Sequence, residues 1–232
     1  MASAQVGAAL CVAVSLEGLA GVIGLAESHA HLFASVGVHP EHRDCQEPDV
    51  ETLVGHARHP RVVAIGETGL DYYWHKTDTE WQRERFRVHI RAAKLSGKPL
   101  IIHTREAAQD TLSIMQEEGA SVVGGVMHCF TESLEVAEKA MEMGFYISFS
   151  GIVTFKNAKQ IKEVATAVPL ERLLIETDSP YLAPMPHRGK GNEPAYVRYV
   201  AAEIAALKGI TVEEVAMAST SNFCELFRVT LP

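Results

Sequence analysis

Five side chains that could ligate a metal or transfer a proton occur where short apolar runs of the sequence give way to polar residues. They are His39, Glu67, His103, His128 and Asp178. Imidazole nitrogens and carboxylate oxygens are common protein ligands of divalent cations such as Zn²⁺ and Mn²⁺. The two oxygens of one carboxylate can also serve two cations. The pattern therefore predicts a divalent metal site that could support hydrolysis.

The individual roles leave alternatives open. Asp178 could ligate a metal or act as general base toward the attacking water. Glu176, two positions earlier in an extended segment, should face the same way and could support the ligands. His39 could contact phosphate or assist the leaving group, or it could only make a structural hydrogen bond before Pro40. Glu67 could instead be a surface glutamate, although the glycines on either side of it argue against that reading.

Several cationic or polar side chains near these positions could bind an anion. Arg105 could meet a phosphate with its forked guanidinium, or it could pair with Glu106 at the start of a helix. Later in the chain, His187, Arg188 and Asn192 lie among glycines and prolines. This later segment is either a solvated loop or a phosphate-binding lip.

The elements that must position these residues alternate along the chain. Seven apolar, β-branched runs predict strands over residues 8–14, 33–38, 62–66, 99–103, 123–128, 144–150 and 172–177. Helical patterns are found near residues 16–27, 49–58, 78–96, 105–118, 132–143, 157–167, 194–207 and 212–227. This alternation is typical of βαβ units and a parallel sheet. No linker is evident, so one domain is expected over residues 1–232.

The convergence of five strand ends favours a (β/α)₈ TIM-type barrel, whose active sites lie at the C-terminal face of the strands. A doubly wound open sheet usually gathers fewer strands at one crevice. The strand count is nevertheless one short of eight. A barrel of about 250 residues devotes roughly 30 to each unit. We therefore expect an incomplete barrel whose first βα unit would belong before residue 8.

The composition is that of an ordinary water-soluble protein. Hydrophobic residues make up 47% of the chain, and the formal net charge is −8. This charge argues against a generic basic surface for nucleic acid, although bound divalent metals would add positive charge locally. The four cysteines form no C-x-x-C pair, which favours a reducing cytoplasm. The apolar start has no Lys or Arg before Arg43 and is interrupted by Glu17, so neither a signal peptide nor a membrane span is expected.

Seven motifs in order give the sequence a resemblance to a known family. They read "SVGVHP", "AIGETGLDYY", "IIHTREA", "HCFTES", "GFYISFSGIVTFKNA", "LLIETDSPYLAP" and "HRGKGNEPAYV". Together they resemble the TatD family of metal-dependent deoxyribonucleases, which are amidohydrolase-like barrels. The resemblance implies a two-metal site that hydrolyses phosphodiester bonds in DNA. It further implies that Glu67 is the bridging carboxylate, that His103 and His128 are the histidine ligands, and that Asp178 is the aspartate ligand.

The sequence departs from the family pattern at one motif, a His-x-His followed by Leu-Asp on the first barrel strand. "SHAHL" imitates this motif, but a predicted helix runs into His29 and a strand begins soon after His31. The pair should therefore lie at the opposite end of its strand from the site, as structural or solvated histidines. We expect the family's first ligand pair to be absent here, so that the remaining four ligands could still hold one cation: Zn²⁺, Mn²⁺ or Mg²⁺.

Three functions follow from these features. The leading hypothesis is a TatD-like deoxyribonuclease acting on single strands or ends of DNA, whose activity the missing ligands could impair. A monomer is favoured, although the sequence does not fix the oligomeric state, and no membrane partner is expected. A second is a barrel hydrolase of an amide or ester. A third is a catalytically inactive relative retained for binding or structure. Four side chains favour an anionic phosphodiester substrate: Arg105, His187, Arg188 and Lys190.

Overall fold

A computed structural model describes residues 1–74 and 76–231 of the chain. Its strands form one seven-stranded sheet in which every neighbouring pair is parallel and the spatial order follows the chain. The strands are β1 (Ala9–Cys11), β2 (Leu32–Val36), β3 (Val62–Asp71), β4 (Leu100–Arg105), β5 (Gly125–Met127), β6 (Phe145–Phe149) and β7 (Leu173–Ile175). The seven strands predicted from the sequence are thereby confirmed.

Eight α-helices are found in the described residues. They are α1 (Leu19–Ser28), α2 (Val50–Ala57), α3 (Glu80–Ser96), α4 (Ala108–Glu117), α5 (Leu134–Glu142), α6 (Lys159–Ala167), α7 (Val197–Lys208) and α8 (Val212–Phe227). Most follow a strand and return the chain to the start of the next parallel strand, as the helix of a βαβ unit does. None of the described helices combines the length and apolar composition that crossing a membrane requires.

The helix ends follow local capping chemistry. The α8 helix begins at a capping box, in which Thr211 accepts the backbone N–H of Glu214 while the Glu214 carboxylate accepts that of Thr211. The α3 helix ends at Gly97, whose φ of 66° is a left-handed conformation that favours glycine. These signals explain why helix boundaries predicted from the sequence agree closely with the structure.

Strand side chains divide between two hydrophobic layers because successive residues point to opposite faces of a sheet. Leu100 and Ile102 pack in the larger cluster with the helices, including Phe86 of α3. Ile101, between them, packs in a second cluster on the other face of the sheet, where Phe227 of α8 contributes. Every strand residue of β3 is buried. The central strands are thus held on both faces.

The sheet is open among the described residues, since β1 and β7 each pair with a single neighbour. The architecture is that of a curled, incomplete α/β barrel. Because all strands are parallel, their C-terminal ends meet at one edge of the sheet. His29 and His31 lie between the end of α1 and the start of β2, at the opposite, N-terminal end of that strand, as expected from the sequence.

Candidate metal centre

The Glu67 side chain lies at the centre of a cluster of three imidazoles. Its Oε1 atom is 3.3 Å from His39 Nε2, 3.3 Å from His103 Nδ1 and 3.4 Å from His128 Nε2. Glu67 lies within β3, which continues to Asp71, so the strand is longer than the sequence predicts. The structure therefore brings three of the five predicted strand-end residues onto one carboxylate oxygen of a fourth, Glu67.

Glycines allow the strands to approach each other closely around Glu67. A Cβ atom on Gly37 would lie 2.4 Å from the carbonyl carbon of Gly66. A Cβ atom on Gly69 would lie 2.0 Å from the carbonyl oxygen of His103, and Gly69 has a φ of 132°. Both separations are far below van der Waals contact. The close packing that positions Glu67 and His103 therefore requires residues without a side chain at positions 37 and 69.

The His103 ring is oriented by a second carboxylate. Its Nε2 atom lies 3.0 Å from Asp71 Oδ2, which leaves Nδ1 facing Glu67. The backbone N–H of Asp71 donates to Gln82 Oε1, and the Gln82 amide donates to the Asp71 carbonyl. Burial lowers the pKa of His103, but hydrogen bonds to Asp71 and Glu67 outweigh it and raise the pKa to about 9.

The His128 ring has an equivalent partner. Its Nδ1 atom lies 2.9 Å from Glu176 Oε1, and the other oxygen of Glu176 accepts a hydrogen bond of 2.5 Å from Ser148. His128 Nε2 faces Glu67 and lies 3.8 Å from Asp178 Oδ1. Burial lowers the pKa of His128, but the charges of Glu176 and Glu67 outweigh it and raise the pKa to about 10.

His39 differs from the other two histidines in the partner of its second nitrogen. His39 Nδ1 accepts the backbone N–H of Glu41 at 3.1 Å. In the neutral ring the proton is therefore assigned to Nε2, the nitrogen that faces Glu67. In His103 and His128 the second nitrogen instead faces a carboxylate, so in the neutral form of either ring the proton would lie on that nitrogen and the lone pair of the other would face Glu67. The hydrogen bonding thus makes His39 a donor and the other two potential ligands.

The chain on either side of His39 is held by α3. The guanidinium of Arg85 donates to the His39 carbonyl at 2.9 Å. The Nε2 atom of His89 accepts the backbone N–H of Val38 at 3.0 Å, while His89 Nδ1 donates to the Arg85 carbonyl. Burial, together with the nearby Arg85 charge, lowers the pKa of His89 to about 4. A neutral histidine in α3 therefore anchors the segment that carries His39.

The two predicted carboxylate ligands lie in different electrostatic environments. Burial raises the pKa of Glu67, but the surrounding imidazoles outweigh it and hold that pKa well below the usual range. Burial raises the pKa of Asp178, and the nearby His128 charge only partly offsets this. The Asp178 side chain remains one-third exposed. Asp178 is thus the member of the cluster that is most open to solvent.

The donor set fits a divalent cation. Glu67 and His103 each offer a ligand atom, and these two atoms lie within 4.8 Å of each other and of a nitrogen of His39, the ring assigned above as a donor. Imidazoles whose second nitrogens donate to carboxylates, as in the pairs with Asp71 and Glu176, are a regular feature of metal sites. With neutral imidazoles, the surrounding carboxylates would leave the cluster strongly negative, which bound cations would offset.

Arg105 lies near the cluster but contacts an aromatic ring. Its guanidinium carbon is 3.7 Å from the centre of the Tyr73 ring. Across the described ranges, no carboxylate, including that of Glu106, lies within ion-pair distance of it. Its cationic group is therefore exposed and available to an anion.

The remaining predicted anion contacts lie in residues 176–193, here called the β7 loop. The His187 ring stacks on Tyr196 with centres 4.0 Å apart, and its Nε2 atom is buried without a hydrogen-bond partner in the described structure. Arg188 is exposed, with its guanidinium 4.3 Å from the centre of the Phe155 ring. The geometry thus leaves Arg188 more accessible to an anion than His187.

Asn192 is buried, and its amide is already engaged. The Nδ2 atom donates to the carbonyl oxygens of Thr177 and Tyr181 at 2.7 and 2.6 Å, and Oδ1 accepts the N–H of Glu193. These bonds tie the end of the β7 loop to the backbone on both sides of Asp178. Asn192 therefore fixes the path of this loop.

Sequence reasoning missed Asp71 as the partner of His103. The signal was present: Asp71 follows Glu67 by four positions in an extended segment, and an even spacing places both side chains on one face. Because Gly66 and Gly69 interrupt the apolar pattern, the sequence predicts a loop after residue 66 rather than a continuous strand.

Comparisons with known proteins show the family to which the chain belongs. Residues 1–228 match the family model described as TatD related DNase. The chain is 51% identical over 221 residues to the "Uncharacterized metal-dependent hydrolase YcfH" of Escherichia coli strain K12, covering 95% of this chain and 83% of that protein. It is 33% identical over 213 residues to the "3'-5' ssDNA/RNA exonuclease TatD" of Citrobacter rodentium, covering 89% and 81%.

A solved structure shares the fold as well. The crystal structure of YJJV, a TatD homologue from Escherichia coli K12, superposes with a TM-score of 0.91 at 29% identity. The match covers 99% of this chain and 89% of the crystallised one. The family match over almost the whole chain, the relatives and this superposition agree, and the chain belongs to the TatD family of metal-dependent hydrolases.

Proposed function

We propose that this protein is a metal-dependent phosphodiesterase that cleaves DNA. The observation that carries the proposal is the convergence of three imidazoles on one Glu67 oxygen, two of them oriented by further carboxylates. The exonuclease name of the Citrobacter relative supports a nucleic-acid substrate. The alternatives of an amide or ester hydrolase and of an inactive relative become outcomes of the test below.

Glu67, His103, His128 and Asp178 would hold the cation or cations. When bound, divalent cations supply Lewis acidity and an activated water nucleophile, and the imidazole-rich donor set suits Zn²⁺ or Mn²⁺ better than Mg²⁺. Asp178, at the solvent-facing edge, accepts the proton of the attacking water. The Nε2–H of His39 donates to a phosphate oxygen or to the leaving oxygen.

The anionic substrate would be held by guanidinium groups next to this centre. Among the described residues no carboxylate pairs with Arg105, and Arg188 is exposed on the β7 loop. Forked N–H donors of arginine match phosphate oxygens. His187 would line this surface, and Asn192, whose amide hydrogens are already bonded, would position the loop. All four cysteines are free, which supports action in a reducing compartment such as the cytoplasm.

The test compares cleavage of end-labelled single-stranded DNA by protein stripped with EDTA and then loaded with Mn²⁺ or Zn²⁺. Cleavage should require the metal and should fall in Glu67→Gln and His128→Ala by more than the roughly 10- to 100-fold typical of orienting residues. Glu135→Gln, which changes an exposed carboxylate paired with Lys139 on α5, is the matched control and should cleave normally.

The assigned metal centre would be refuted if Glu67→Gln and His128→Ala cleaved DNA as fast as the control variant. Absence of cleavage in every sample would contradict the nuclease proposal. In that case, turnover of a small amide or ester that is lost in Glu67→Gln would identify the alternative hydrolase, and no turnover of any substrate would identify an inactive relative.

A further inference from the structure

A patch of exposed aromatic and cationic side chains lies just beyond the C-terminal ends of β3 and β4. The rings of Tyr73 and Trp74 meet edge to face with centres 4.7 Å apart, and 39% and 63% of these residues are exposed. The Arg105 guanidinium stacks over the Tyr73 ring at 3.7 Å. We call these three residues the aromatic rim. A contiguous exposed aromatic patch can mark a ligand-binding or interaction site.

The backbone beneath the aromatic rim is fixed, and it is shared with the candidate metal centre. The N–H of Tyr73 donates to Asp71 Oδ1 at 2.9 Å, while Asp71 Oδ2 lies 3.0 Å from His103 Nε2. The N–H of Tyr72 donates to the Arg105 carbonyl at 2.9 Å. One carboxylate thus orients a potential ligand and the start of the rim together.

Arg105 also follows His103 by two residues in β4, so both side chains leave the same face of the strand. At about 3.3 Å per residue, their Cα atoms lie roughly 7 Å apart. The rim is therefore adjacent to the place where a substrate phosphate would bind. This adjacency distinguishes it from apolar residues exposed elsewhere, such as Leu95 on α3.

The chemistry of the rim matches one kind of occupant. Stacking on Tyr73 covers a face of the Arg105 guanidinium but leaves its in-plane N–H donors for a phosphate. The exposed indole of Trp74 offers a flat surface of the kind on which unpaired bases stack. Because the chain carries a net charge of −8, binding of a nucleic acid must depend on such local contacts.

We infer that the aromatic rim binds single-stranded nucleic acid, with a nucleobase stacked on Trp74 and the neighbouring phosphate on Arg105. This inference rests on the proposed function for its substrate class. It goes beyond that function by assigning the contact to the base, which must be unpaired because a base inside a duplex cannot stack on a side chain.

Binding can be measured without turnover. Fluorescein-labelled oligothymidylate is titrated with the protein in EDTA, and again with Ca²⁺, while fluorescence anisotropy is recorded over a range of salt concentrations. Trp74→Ala should weaken binding by about 5- to 100-fold, the range expected for one lost base stack. Trp74→Phe should retain most of the affinity, and the control Leu95→Ala should retain all of it.

The two rim contacts have different signatures. Arg105→Ala should reduce the slope of log affinity against log salt by about 0.7, the value for one phosphate contact on a single strand. Trp74→Ala should leave that slope unchanged. An oligonucleotide with abasic sites should bind wild type and Trp74→Ala equally. Oligouridylate in place of oligothymidylate shows whether the rim accepts RNA as well.

Wild-type affinity in Trp74→Ala, or no binding by the wild type with or without Ca²⁺, would overturn the inference. Cleavage that depends on Glu67 would survive such a result, so the proposed function would stand alone. Conversely, loss of binding in Trp74→Ala together with full cleavage by Glu67→Gln would support the rim and reject the assigned metal centre. Circular dichroism and melting of each variant exclude misfolding as the cause.

Discussion

Protonation of His89 should destabilise the fold, because this imidazole is buried and its Nε2 lone pair accepts the N–H of Val38. Its pKa is about 4 in the folded protein and near 6.5 when the chain is unfolded. The unfolded chain therefore binds the proton more tightly. The contribution of neutral His89 is complete above pH 6.5 and is lost as the pH falls from 6.5 toward 4.

The magnitude follows from the two pKa values. Below both pKa values, the difference between them lowers the free energy of unfolding by about 3 kcal/mol, since each pKa unit is worth about 1.4 kcal/mol. Between pH 7 and pH 5 the linkage removes about 2 kcal/mol of the free energy of unfolding. The buried position of His89 means that solvent screening does not reduce this effect.

The measurement is urea unfolding at pH 7 and pH 5 in EDTA, for wild type and His89→Gln. Glutamine keeps an oxygen that can accept the Val38 N–H but does not titrate. Any cost of the substitution applies at both pH values, so the gap between the two proteins should narrow by about 2 kcal/mol at pH 5. A constant gap would refute the assignment of a neutral, buried His89.

Two further predictions concern the packing around Glu67. Asp71→Asn should weaken Mn²⁺ or Zn²⁺ binding by about 10- to 100-fold in a metal titration, because it removes the negative charge of Asp71 that orients the His103 ring. Asp49→Asn, in which either residue can cap α2, should bind metal normally. Gly37→Ala should lower both the melting temperature and metal affinity, since its Cβ would collide with Gly66. Gly55→Ala, in open space on α2, should instead stabilise the protein by up to about 1 kcal/mol. A Gly37→Ala protein with the melting temperature and metal affinity of the wild type would contradict the close packing of Gly37 against Gly66.

The sequence predicted the elements well because the signals are local. Apolar runs bounded by glycine or proline predict strands such as Leu100–Arg105, and capping residues such as Thr211 predict helix starts. The extension of β3 to Asp71 could not be predicted in this way. That extension exists because Thr68 and Asp71 pair with Ile102 and Arg105 of β4, a non-local contact that the intervening glycines disguise.

The candidate site was predictable where topology alone decides it. Parallel strands bring Glu67, His103 and His128 to one edge whatever their rotamers are. The difference between His39 and the other two histidines was not predictable. It depends on the Glu41 backbone N–H reaching His39 Nδ1, which follows from the path of the chain after β2.

The Asp71 carboxylate has one oxygen on His103 and the other on the Tyr73 backbone. If the cation and the strand bind as proposed, their two binding equilibria share this group and are thermodynamically linked. Linkage is reciprocal: the factor by which metal changes the affinity for the strand equals the factor by which the strand changes the affinity for metal. A nucleic acid bound to the rim would then change the affinity of the protein for metal. Metal affinities measured with and without oligonucleotide would differ by that factor.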